Sequence, residues 1–143
     1  MMDFPILSSL ILLPSIGALF LFFTKSNKEN NITVKYVALF TSLVNFFLSI
    51  YLWILFDQST SDFQFIEDRV WIEGLINYKV GIDGISILFI ILTTFITPLC
   101  IISVNNSIKN RLNEFLIAVL IMESFMIGVF CSLDLVVFYL FFE

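Results

Sequence analysis

Apolar residues run almost unbroken over positions 4–23, 34–56, 85–104 and 115–131, and polar residues gather between these runs. A helix that crosses a bilayer needs about 20 apolar residues, with a range of about 17–25, and each of the four runs meets that length. The first and third carry no charge, the second has Lys35 at its edge, and the fourth has Glu123 at its centre. A fifth apolar run, 135–142, follows Asp134 and precedes Glu143. At about 1.5 Å per residue, a helix over 134–143 reaches the middle of a core about 30 Å thick. The pattern predicts an all-α polytopic membrane protein, one membrane segment over 1–143, with four complete transmembrane helices plus the first half of a fifth. The first run follows Asp3, lacks a basic start and is longer than the ~7–15 apolar residues of a signal peptide. It reads as a retained helix.

The segment between the second and third runs has a different period. Phe63-Gln64-Phe65-Ile66 and Val70-Trp71-Ile72 are rich in strand formers, Glu73-Gly74 is a turn signal, and Ile76 to Val80 alternates apolar with polar. A short β-hairpin or extended segment against the outer membrane surface is expected there, with Trp71 and Tyr78 suited to the interface. Asp83 or Ser86 can cap the third span, and Ser132 and Asp134 the fifth. Pro5 suits a first helical turn. Pro14 and Pro98 fall inside spans, where neighbours must satisfy the freed carbonyls. Ser124 and Gly128 form a small-xxx-small pair, so the fourth helix should pack closely on a neighbour.

Composition narrows the class. Hydrophobic residues make up 59% of the 143 residues and charged residues 13%, with a mean hydropathy of +1.03. Soluble domains are about 25% charged, so a soluble enzyme is excluded, and so is a disordered chain. Without His, histidine catalysis and histidine metal sites are excluded. A net charge of −5 argues against nucleic-acid binding. Cys100 and Cys131 both lie in apolar runs, with no disulfide or zinc spacing. The 18 Phe against three Ala hint at an AT-rich genome such as an organelle's, since Phe, Ile, Asn and Lys use AT-rich codons. Lys25, Lys28, Lys35, Lys109 and Arg111, five of the seven basic residues, flank the first and third loops. Basic loops stay inside, which puts the N-terminus, the acidic second loop and Asp134 outside. The glycosylation patterns at Asn31 and Asn105 would then lie inside and carry no glycan.

Two acids sit at membrane depth, Glu123 and Glu143. An intramembrane acid costs ~2.5–3.5 kcal/mol on insertion scales and marks a functional candidate. A carboxyl poised between desolvation and a neighbouring cation can load and release a proton, as a proton path requires. Glu123 also fits a protonated helix–helix contact. Asp134 fits either a helix cap or the outer mouth of a path. No nucleophile–base pair or phosphate-binding loop accompanies them.

Val80-Gly81-Ile82-Asp83-Gly84-Ile85-Ser86, Ile91-Leu92-Thr93-Thr94-Phe95, Phe130-Cys131-Ser132-Leu133-Asp134-Leu135 and Phe138-Tyr139-Leu140-Phe141-Phe142-Glu143 closely resemble the antiporter-like subunit-4 family of respiratory NADH:ubiquinone oxidoreductase, complex I. Leu52-Trp53-Ile54-Leu55-Phe56-Asp57 and Phe63-Gln64-Phe65 look like its plant and protist members. The resemblance covers the whole chain and is most specific from Val80 onward. It implies a proton-translocating membrane-arm subunit in the mitochondrial inner membrane or, alternatively, a bacterial plasma membrane. It also implies that NADH, FMN, iron–sulfur clusters and ubiquinone are used by the assembled complex and none is bound by this chain. The expected partners are other membrane-arm subunits and lipid. By the same resemblance Glu143 closes the Phe-Phe-Glu motif as the key intramembrane proton carrier, Asp134 matches a recurring acid, and Glu123 has a counterpart in plant-type members only. The family pairs its glutamate with lysines on later helices, so a C-terminal remainder of the subunit, separate or continuous, is expected to continue or cap the fifth helix. Two other readings stand beside this one. One is a large subunit of a multisubunit cation/proton antiporter, and the other is a non-transporting membrane scaffold.

Overall fold

A computed structural model describes residues 5–24, 31–72, 76–104 and 111–143. Its elements are α1 (Ile6–Phe23), α2 (Asn31–Leu55), β1 (Gln64–Ile72), β2 (Ile76–Ile82), α3 (Gly84–Ser103), α4 (Leu112–Cys131) and α5 (Leu135–Phe142). Four of them, α1 to α4, are long and apolar enough to cross a membrane. β1 and β2 pair antiparallel in a two-stranded sheet between α2 and α3, as their strand-forming residues predict. The Glu73-Gly74 turn, the side chain of Trp71, Lys25, Lys28, Lys109 and the Asn105-Asn106-Ser107 pattern lie outside the described residues.

The helices α2 and α4 begin earlier than the hydropathy break, at Asn31 and Leu112. A helical backbone does not stop where its side chains turn polar, and the extra turns place polar groups against neighbouring helix ends. Lys35, expected at the edge of its span, lies one turn inside α2. Its Nζ donates to the carbonyls of Ile102 at 3.3 Å and Val104 at 3.2 Å, at the end of α3. Asn113 Nδ2 donates to Leu21 O at 3.0 Å and Thr24 O at 3.2 Å, at the end of α1. The last carbonyls of a helix lack intrahelical donors, so each side chain closes a neighbouring helix.

The hairpin closes the opposite end. Pro5 at the N-cap of α1 offers no side-chain acceptor. Glu67 on β1 supplies one, accepting from Leu7 N at 2.9 Å, Ser8 N at 3.3 Å and the Ser8 hydroxyl. Tyr78 on β2 brings its hydroxyl to 3.2 Å from Ser8 Oγ, and burial raises its phenol pKa. Between Gln64 and Glu67 the register shifts. Phe65 takes a φ of 54° there, a left-handed geometry rare for a bulky residue and typical of a bulge. Beyond the hairpin, Leu133 N donates to Lys79 O at 2.9 Å, which ties β2 to the α4–α5 link.

The helix starts resolve the candidate caps. Asp83 accepts from Ser86 N at 2.7 Å, so Asp83 is the cap and Ser86 the donor. Asp134 accepts from Val136 N at 2.8 Å and Val137 N at 3.4 Å. Ser132 does not cap α5; its hydroxyl donates back to Val129 O at 3.0 Å and belongs to the end of α4. The small residues permit close approach, but to two different helices. Ser124 meets α1, whereas a Cβ on Gly128 would stand 2.7 Å from the Phe141 ring of α5.

Two apolar clusters fill the interior. One, beside the hairpin, joins Leu7, Leu10 and Ile11 of α1 to Leu52, Ile82, Ile90 and Ile127. The other, at the far end, joins Ala18 and Leu21 to Ala38, Ile101, Leu116 and Leu120.

Candidate functional site

Between those two clusters, every complete span turns polar side chains inward. Ser42, Asn45 and Ser49 of α2, Thr94 of α3, and Glu123 and Ser124 of α4 are each at most 2% exposed. Ser15 of α1 joins them from the side, donating to Ser124 Oγ at 2.8 Å. Ser124 in turn donates to Ile11 O, in the turn before Pro14. Pro14 supplies no backbone N–H to Leu10 O, the carbonyl just before Ile11. Ser49 Oγ and Thr94 Oγ1 lie 2.8 Å apart and link α2 to α3.

Glu123 sits at the centre of this layer. Asn45 Nδ2 donates to its Oε1 at 2.9 Å. The other oxygens of the pair, Asn45 Oδ1 and Glu123 Oε2, have no hydrogen-bond partner among the described residues. Buried acceptors are nearly always satisfied, so the pair is short of a donor among the described residues. A cleft of about 500 Å³ between α3 and α4 is lined by Glu123, by Thr93 and Thr97, and otherwise by apolar side chains with Cys100 among them.

Glu143 stands apart. It is exposed and accepts from Tyr139 OH at 3.1 Å. It lines a second cleft, of about 470 Å³, between α4 and α5. The clefts of Glu123 and Glu143 share Met122, Met126 and Phe130 of α4 as a common wall. The packing of Phe141 on Gly128 and Phe125 brings the end of α5 beside the last turns of α4. The two acids thus flank one stretch of α4, in separate clefts. Asp134 acts on its own backbone as a cap, away from both acids along α5. Among the described residues no group of three or more His, Cys, Asp or Glu is placed to hold a metal ion.

Sequence reading passed over Ser42, Asn45 and Ser49. Their spacing of three and four residues puts them on one face of α2, but their apolar neighbours keep the run hydrophobic on average. A search for polar residues at helical spacing inside an apolar run would have found them.

No protein-family profile matches the chain. Individual relatives do. It is 46% identical over 138 residues to a Marchantia polymorpha protein named NADH-ubiquinone oxidoreductase chain 4, covering 96% of this chain and 28% of the relative. It is 45% identical over 148 residues to a Rickettsia typhi protein named NADH-quinone oxidoreductase subunit M, covering 100% of this chain and 30% of the relative. An Arabidopsis thaliana NADH-ubiquinone oxidoreductase chain 4 is 45% identical over 138 residues, with 96% and 28% covered. The chain spans less than a third of the length of these relatives. With its four spanning helices, it is a multi-pass membrane protein. From end to end it is homologous to the N-terminal part of the chain 4 and subunit M proteins of NADH:quinone oxidoreductases.

Proposed function

We propose that this chain belongs to the proton-translocating membrane region of an NADH:quinone oxidoreductase. Quinone reduction by NADH elsewhere in the assembly is coupled to proton movement through intramembrane carboxylates. The observation that carries this reading is the end-to-end similarity to proteins named as chain 4 or subunit M. Supporting it, Glu123 lies in a buried polar layer and Glu143 in an adjoining cleft. Glu143 transfers the proton, Glu123 belongs to the same path, and Asp134 sets the start of α5 at the outer mouth. This chain carries out no covalent chemistry; NADH, FMN, iron–sulfur clusters and ubiquinone are handled by other parts of the assembly. Its partners are the other membrane-arm subunits and lipid, in the mitochondrial inner membrane or a bacterial plasma membrane. The N-terminus, the hairpin and Asp134 face outward, and the basic loops inward. Affinity capture of the tagged chain from native membranes tests the assignment. NADH:quinone reductase activity, with its flavin and iron–sulfur signals, should co-purify. Capture of an assembly without quinone reductase activity would contradict the reading.

A further inference from the structure

Asn45 and Glu123 come from different helices, α2 and α4, and meet inside the protein through one hydrogen bond of 2.9 Å. Each is at most 1% exposed. Each also leaves one oxygen without a hydrogen-bond partner among the described residues. An isolated structural contact between an amide and a carboxyl would not need a cavity beside it. Here a cleft of about 500 Å³ reaches Glu123 between α3 and α4. The cleft is mostly apolar, and Thr93, Thr97 and Glu123 are the polar side chains in it that an ordered water would need. The Thr93 and Thr97 hydroxyls donate to the carbonyls of their own helix, Phe89 O at 2.8 Å and Thr93 O at 3.0 Å, so their lone pairs stay available to water.

We propose that Glu123 and Asn45 form a proton-holding pair served by water in the α3–α4 cleft, with Asn45 as the positioning residue. The amide of Asn45 fixes Oε1, and Oε2 takes up and returns the proton. The step is a plain proton transfer. A water-borne proton adds to the carboxylate to give the carboxylic acid and later leaves to water, with no change elsewhere. The acid form donates from Oε2, and the carboxylate accepts there from water, a donor that the described residues do not provide. The surroundings are otherwise uncharged among the described residues. α1 and α3 carry no charged side chain, α2 carries only Lys35 at the far end, and α5 ends at Glu143 in the next cleft. Cys100 is the other titratable group in the cleft. The purpose of the proton rests on the function proposed above, but the pair can be tested apart from it.

The test is infrared difference spectroscopy of the native assembly in its membranes, over about pH 5 to about pH 9. The Glu123 band is identified as the carboxyl signal absent from Glu123→Gln. It should titrate with the bulk phase and exchange in D2O. In Asn45→Ala its midpoint should move by about one pH unit, a tenfold change in proton affinity. Asn45→Gln, which keeps the amide, should restore part of that shift. Cys100 should react with a charged, water-borne thiol reagent. A Glu123 band that ignores pH would overturn the proposal. So would an unmoved midpoint in Asn45→Ala, or a Cys100 that reacts only with lipid-soluble reagents. These readouts do not depend on quinone reductase activity, so failure here and failure of the functional reading are separable.

Discussion

Asp83 shows how much a single side chain settles at a span boundary. Its carboxylate accepts from the backbone of Ser86, and that backbone bond, followed by the Ser86 side chain, holds its pKa below the ordinary carboxylate value. A depressed folded pKa stabilises the fold above the unfolded value of about 3.9. That contribution is lost as pH falls through the folded pKa. Asp83→Ala should therefore lower stability by about 1 kcal/mol in detergent unfolding at neutral pH. The deficit should shrink as the medium is acidified, and Asp83→Asn should retain most of the cap. Such caps were legible in the sequence, because an Asp ahead of an apolar run has few other tasks. The choice between Ser132 and Asp134 at α5 was not, since it depends on which backbone group each side chain can reach. Asn45 was hidden for another reason: its role is defined by a partner 78 positions away.

At the scale of elements, hydropathy and strand patterning anticipated four spans and a hairpin but not their neighbours. Nothing local announces that Glu67 of β1 will cap α1, or that Lys35 and Asn113 will close α3 and α1. The small residues of α4 were legible as close-packing sites, yet not as contacts with two separate helices. The α4–α5 contact is the one that positions Glu143. A Cβ added at Gly128 would stand 2.7 Å from the Phe141 ring, so Gly128→Ala must displace that ring or α5. The expected cost is about 1–3 kcal/mol. A double-mutant cycle with Phe141→Ala should recover part of it, because the ring is the obstacle. Strictly additive effects would place the strain elsewhere.

Across the whole molecule, a polar layer lies between two apolar clusters, near the middle of the spans. Lipid offers no hydrogen bonds there, and each unsatisfied backbone group in such a medium costs several kcal/mol. Isolated polar positions in the sequence did not reveal the layer, because it exists only once four helices are assembled. The orientation proposed above rests on the five-to-two division of basic residues. Asp62→Cys, in an exposed stretch before the hairpin, should be labelled by an impermeant reagent from the outer face in a Cys100→Ser background. Labelling only from the inner face would invert the topology. Proton pumping by the intact enzyme, recorded against quinone reduction in the same sealed vesicles, tests the central claim most directly. Glu143→Gln should abolish most of the pumping, and Glu143→Asp should keep part of it. Proton pumping per electron unchanged in Glu143→Gln would contradict a proton path through this chain's intramembrane glutamate.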